Sequence, residues 1–204
     1  MTPVVIKIGG GLLGVSGALE AVCPAVCAMG RREPVVVVPG GGPFADAVRA
    51  LDRHTALSAE TAHRMAILAM DQYAHLLAER IEGAVLVEEP GGLAAVHAAG
   101  RAAVLAPSRW LRAADPLPHS WDATSDSVAA FVAGALDASR LVLVKPAEVG
   151  EEGVDRCFAM VAPAGLEVSV MGWARFAASA STRASLRSAS RPTAAPFAPP
   201  SAGG

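Results

Sequence analysis

Two lysines in this chain close or interrupt apolar runs that leave no other room for charge: Lys7 within Val4-Val5-Ile6-Lys7-Ile8, and Lys145 at the end of Arg140-Leu-Val-Leu-Val-Lys145. Between them lies a polar stretch, Asp122-Ala-Thr-Ser-Asp-Ser127, whose hydroxyls and carboxylates open a helical pattern. Two glycine triplets, Gly9-Gly10-Gly11 and Gly40-Gly41-Gly42, each follow a β-branched run and precede a helical one. Glycines let backbone amides approach an anion closely, and a helix N-terminus adds partial positive charge. Lysines beside such amides make a phosphate-handling site. The plainer use of Lys7 is a side chain snorkelling from a strand end.

Neither triplet is a P-loop or a dinucleotide fingerprint, because no Gly-Lys-Ser/Thr follows and neither reads G-x-G-x-x-G. That argues against a Rossmann dehydrogenase.

The elements that must position these groups read as strands alternating with helices. Strands are expected at Val4 to Ile8, Pro34 to Pro39, Ala84 to Val87, Ala102 to Ala106, Arg140 to Val144 and Leu166 to Val170. Helices are expected from Leu12 to about Met29 with Pro24 as a kink or break, from Phe44 to Leu51, from Ser58 as N-cap to Ile81, and to about Ala99. Asp122 or Thr124 caps a further helix that runs to about Leu136. The alternation predicts an α/β fold, a three-layer αβα sandwich with a mainly parallel sheet. His63 and His75 on the long helix read as ordinary surface or packed histidines.

The 204 residues suffice for one substantial core. Hydrophobic residues at 52% and charged residues at 18% exclude a disordered chain over most of the length. The formal net charge of -2 leaves no electrostatic footprint for nucleic acid or a membrane surface, so a small-molecule partner is expected. Cys23, Cys27 and Cys157 lack paired metal-ligand spacing, and free thiols point to a reducing cytoplasm. No apolar run approaches the length of a membrane span.

Lys7 with Gly9-Gly10, the Gly40-Gly41-Gly42 loop, the Thr124-Ser-Asp-Ser127 helix start and Lys145 together resemble the amino-acid kinase superfamily, which includes acetylglutamate, carbamate, aspartate and uridylate kinases. Three segments look most like its branch acting on aminomethylfuranmethyl phosphate in methanofuran synthesis. They are Pro39-Gly-Gly-Gly-Pro-Phe-Ala-Asp-Ala-Val-Arg49, Ala62-His-Arg-Met-Ala-Ile-Leu-Ala-Met-Asp-Gln-Tyr73 and Leu117-Pro-His-Ser-Trp-Asp-Ala-Thr-Ser-Asp126.

The resemblance implies catalytic roles for Lys7, Lys145 and Asp126, the carboxylate orienting the lysines and keeping both charged. It implies phosphate and nucleotide binding by Gly9, Gly10, Gly11 and Ser125. Acceptor binding falls to Gly40, Gly41, Gly42, Asp46, Arg49, Asp71 and Trp121: the aspartates for an aminomethyl ammonium, Arg49 for an acceptor phosphate, Trp121 for a flat ring. Solvated helix charges for Asp46 and Arg49, and a packed aromatic for Trp121, are the competing structural uses.

ATP and Mg²⁺ are implied as cofactors, the ion held mainly by phosphate oxygens and water, with no protein metal ligands. A homo-oligomer is also implied. Competing functions are a kinase for a nucleoside monophosphate or amino-acid carboxylate, and a non-catalytic nucleotide-binding or storage subunit. The organisation expected is a kinase-like domain over 1–173 and an Ala/Ser/Pro-rich tail over 174–204. The nucleotide lobe after Lys145 looks abbreviated, and no fold is expected from Ala177 onward.

Overall fold

Val4–Ile8 is buried at every position and forms β1. A strand without a solvent face needs helices on both sides and partners on both edges. The computed structural model, which describes residues 2–148, 150 and 153–188, supplies both. β1 pairs in parallel with β2 (Val35–Pro39) on one edge and with β5 (Arg140–Lys145) on the other. With β3 (Val85–Val87), β4 (Ala103–Leu105) and β6 (Glu167–Gly172), the strands make one sheet in the order β3-β4-β2-β1-β5-β6. Every pairing in it is parallel. This is the expected three-layer α/β architecture.

Alternation along the strands divides the core in two. Val4, Ile6 and Ile8, with Val142 and Val144, pack with α1 (Ala18–Gly30), α8 (Trp173–Ser188) and the Tyr73 and Leu77 side of α3 (Ala59–Arg80). Val5, Leu141 and Leu143 face Val128, Ala129 and Val132 of α6 (Ser125–Ala135), together with Ile67 and Met70 from the other end of α3. Three shorter helices, α4 (Leu93–Ala98), α5 (Ser108–Ala114) and α7 (Phe158–Val161), complete this second side. α2 (Gly42–Thr55) lies against α3 and carries the second glycine loop at its start.

The register decides where the lysines go. Lys7 pairs with Leu143, so Lys145 lies two residues further along β5 and shares its face. Both lysines therefore look toward α6. They also stand near the C-terminal ends of adjacent strands at the point where the chain order reverses, β2 following on one side of β1 and β5 joining on the other. A crevice opens at such a switch point in parallel sheets.

Several local expectations change. The helix read from Leu12 to Met29 is two pieces: a 3₁₀ turn over Gly10–Gly14, then α1 starting after Gly17, whose φ of 78° is a conformation that interrupts a right-handed helix. Pro24 lies within α1 without ending it. Ser58 caps α3 as expected, accepting from the Thr61 amide at 3.2 Å. Thr124, not Asp122, caps α6, with its hydroxyl accepting from the Asp126 amide.

The largest correction concerns the C-terminal region. The chain does not lose structure at Ala177: α8 continues through Ser188, and Phe176 and Ala180 are buried against α1 and the sheet. Alanine and serine support a helix once an apolar anchor such as Phe176 buries itself, and composition alone hides that anchor. The remainder of the Ala/Ser/Pro-rich stretch, 189–204, lies outside the described residues.

Phe176 is 2% exposed. Phe176→Ala is expected to lower unfolding free energy by about 3–5 kcal/mol, the usual cost of emptying an aromatic site in a core. Urea unfolding of the full chain reads this, and a loss well under 1 kcal/mol would mean that α8 does not stabilise the core.

Candidate active site

Lys7 and Lys145 close on one carboxylate. Asp126, in the first turn of α6, lies 2.6 Å through Oδ2 from Lys145 Nζ and 3.0 Å through Oδ1 from Lys7 Nζ. The first contact is a charge-assisted hydrogen bond; the second is an ion pair off hydrogen-bond alignment, which leaves buried Oδ1 without a hydrogen-bond partner. Lys7 is 5% and Asp126 4% exposed, so these charges interact through protein rather than water. Burial pulls the Lys7 ammonium below its ordinary value, against the raising effect of Asp126. Burial pushes the Asp126 carboxyl up, but Lys7 and Lys145 outweigh it and hold it below the usual carboxylate range.

A second carboxylate fixes the turn that presents the first. Asp155, from the segment between β5 and α7, accepts through Oδ2 from the Thr124 amide at 2.9 Å, the Thr124 hydroxyl at 2.7 Å and the Ser127 amide at 3.0 Å. Its Oδ1 accepts from the Ser127 hydroxyl and, at 3.0 Å, from the Cys157 amide. A carboxylate at a helix N-terminus satisfies amides that have no partner within the helix. Asp126 is thereby held at a fixed turn of a fixed helix.

The glycine loops pack on each other. A Cβ on Gly10 would fall 2.1 Å from Gly42 N, and one on Gly40 would fall 2.4 Å from Gly10 N, so neither position tolerates a side chain. The Gly9 and Gly40 amides are already used, donating to the carbonyls of Val144 at 3.0 Å and Ile8 at 2.8 Å. Gly10, Gly11 and Gly42 stand at the openings of helical turns, where backbone N–H groups lack intrahelical acceptors. These three offer amides to an anion; Gly9 and Gly40 hold the loops together.

The lysines and loops form part of a cavity of about 340 Å³. Its opposite lining comes from α2, α3 and the segment before α6, where three α2 residues at three-residue spacing act together. Arg49 donates to Asp46 at 2.9 Å and lies over the Trp121 ring with Cζ 4.7 Å from the centroid. Trp121 Nε1 donates to Asp52 Oδ2 at 2.8 Å. Ile67, Met70 and Leu117 add an apolar floor, and His63 reaches the same cavity.

The sequence places this arrangement among known proteins. The model of the Amino acid kinase family matches residues 2–148. The chain belongs to the amino acid kinase family. Over 139 residues it is 30% identical to the [5-(aminomethyl)furan-3-yl]methyl phosphate kinase of Methanocaldococcus jannaschii, a stretch covering 68% of this chain and 63% of that protein. The match thus spans less than two thirds of that relative's length. The crystal structure of uridylate kinase from Archaeoglobus fulgidus superposes with a TM-score of 0.55 at 18% identity, over 76% of this chain and 69% of that one. At that identity the likeness is one of fold.

Within this amino acid kinase fold, Lys7, Lys145, Asp126, Ser125, Gly9, Gly10, Gly11, Gly41, Gly42, Asp46, Arg49 and Trp121 all line the one cavity. Gly40 lies behind it. Asp71 points elsewhere: its Oδ1 accepts from the Ser108 amide at 3.0 Å and it lines a neighbouring cavity. Asp52 and Asp155 escaped the sequence reading. Asp52 continues the Asp46, Arg49 spacing on one helix face, and the two hydroxyls of Thr124 and Ser127 required a buried acceptor from somewhere. Those were the available signals.

Asp126 titrates lower folded than unfolded, so between its folded value and about pH 4 the unfolded chain binds more protons and stability rises with pH. Its contribution is complete above about pH 4 and lost as pH falls toward the folded value. Asp126→Asn, which leaves the buried Lys7 ammonium and the part-buried Lys145 ammonium without a counter-charge, is expected to cost about 3–5 kcal/mol at pH 7, with the difference from wild type narrowing at pH 3. Urea unfolding at both pH values checks it; a pH-independent difference would contradict the assignment.

Proposed function

We propose that this chain is a kinase that moves the γ-phosphoryl group of Mg-ATP onto the phosphate of a small acceptor, and that the acceptor is aminomethylfuranmethyl phosphate. The observation that carries the reaction type is the pair of lysines, Lys7 buried and Lys145 part-buried, bracketing Asp126 at adjacent strand ends beside the glycine loops. Phosphoryl transfer spreads charge over the oxygens of the moving group and needs positioning and positive charge more than covalent help. An oxygen of the acceptor phosphate attacks Pγ, the bond from Pγ to the bridging oxygen breaks, and ADP leaves with that oxygen; the acceptor becomes a diphosphate. A phosphate whose second ionisation lies near pH 6 is already an anionic nucleophile, so no general base is required.

Lys7 and Lys145 supply charge to the moving group, and Asp126 keeps them apart and ionised. The two ammoniums against one carboxylate leave a surplus positive charge that fits a site completed by a polyphosphate and its ion. Mg²⁺ would be held by phosphate oxygens and water, and would neutralise charge on the transferred group.

The acceptor assignment rests on the Methanocaldococcus jannaschii relative and on this cavity's lining. Arg49 suits an acceptor phosphate, the Trp121 indole suits a flat ring, and Asp46 suits an ammonium that would compete with Arg49 for it. A cytoplasmic homo-oligomer accompanies this reading. Among the described residues, no helix is long and apolar enough to cross a membrane.

ADP release from Mg-ATP, measured with aminomethylfuranmethyl phosphate, uridine monophosphate, aspartate and acetylglutamate in separate reactions, tests the reading. Turnover is expected with the furan phosphate, and Lys145→Ala is expected to lower kcat by about 10²–10³-fold, as for loss of one preorganised transition-state donor. Turnover with uridine monophosphate alone would replace the acceptor. Silence with all four, from a folded protein, would favour a non-catalytic nucleotide-binding subunit.

A further inference from the structure

Beyond the candidate active site, we propose that His63, Asp115 and His119 form a binding site for one divalent transition-metal ion of the zinc class. The three come from separate places: His63 from the second turn of α3, Asp115 from the residue that ends α5, and His119 from the loop that leads to α6. Their ligand atoms lie within 4.8 Å of one another. His119 Nε2 and Asp115 Oδ1 are already 2.8 Å apart.

Four-coordinate zinc with bonds of about 2.0–2.2 Å separates its ligand atoms by roughly 3.3 Å. The three side chains need only small rotations to reach that spacing, with the ion replacing the direct contact between Asp115 and His119.

One feature beyond proximity points to an ion. The donor set is selective, because two imidazoles and a carboxylate match zinc-class ions while Mg²⁺ takes oxygen ligands and water. The imidazoles of His63 and His119 are already neighbours, with centroids 4.4 Å apart and planes 21° from parallel, so a turn of each ring brings one nitrogen from each toward a shared ion.

Room exists for a fourth, water ligand. A cavity of about 380 Å³ borders all three residues. Three arginines share it. Arg64 pairs with Glu60 at 2.6 Å, and Arg109 lies 3.4 Å from Glu88 and 3.6 Å from Glu89, so the acidic neighbours offset two of these cations. With two neutral imidazoles, a single carboxylate leaves a divalent complex one net positive charge.

The ion would act as a clip. His63 borders both this cavity and the candidate active site, and the loop holding His119 also carries Leu117 and Trp121 into that site. Occupancy would tie α3 to the loop and fix the wall opposite the lysines.

The test uses the full, tag-free chain stripped with a chelator and titrated with Co²⁺, whose visible absorption reports low-coordinate nitrogen and oxygen ligation, and with Zn²⁺ by calorimetry. One ion per chain is expected. His63→Ala and His119→Ala should each weaken it by more than about tenfold, given that even loss of an outer-shell partner costs 10–100-fold. Exposed His75 serves as a control, and His75→Ala should bind as wild type. Circular dichroism checks folding, and His119→Gln, in a loop, decides the matter if His63→Ala does not fold. No saturable binding, or binding that survives loss of both His63 and His119, overturns the proposal.

Discussion

Two ammoniums and one carboxylate share a space from which water is nearly excluded, and the rest of the structure can be understood as what makes that tolerable. An isolated buried lysine neutralises or moves outward, because desolvation of its charge costs more than packing returns. Lys7 stays because Asp126 is beside it, and Asp126 stays ionised because two cations flank it. One net positive charge is left over. A site with a surplus cation inside protein attracts an anion, which is the state a phosphate-handling centre requires before its ligand arrives.

The surroundings supply rigidity in three ways. Parallel pairing of β1 with β5 sets the two lysines two residues apart on one face of the sheet. The Asp155 carboxylate ties Thr124 and Ser127, and with them the turn containing Asp126, to the segment that follows β5. The glycine loops interlock so closely that a methyl group at Gly10 or Gly40 would displace backbone. Each device acts on main chain, so the site's geometry does not depend on the rotamers of long exposed side chains.

The fold was legible because its signals are strong and local: unbroken β-branched runs for covered strands, alternating with helical periodicity. The lysines, Asp126 and the glycine loops were legible too, since charge in a buried strand and glycine at a strand end have few structural excuses. Less legible were contacts made across the fold. Asp155 lies 28 residues beyond Ser127, and nothing in its neighbours Val154 and Arg156 marks it as a helix cap. Asp71 drew an acceptor role from the resemblance of the segment from Ala62 to Tyr73, but adjacent helical positions point about 100° apart, so Met70 lines the cavity while Asp71 turns to Ser108. α8 was hidden by composition, which records many alanines and serines and does not weigh one buried phenylalanine.

The strand order has a consequence for synthesis. β1 finds β2 soon after both emerge, but its other edge waits for β5, because Val4 pairs with Arg140. At translation rates of 5–20 residues per second that wait is on the order of ten seconds. During it the edge presents Val4, Val5, Ile6 and Ile8, an apolar template on which another nascent chain could add a strand. Inward-pointing charge on an edge is a common obstacle to such pairing. Lys7 is the charge in that edge, so the side chain that meets Asp126 in the finished sheet works against strand addition while the edge is still open.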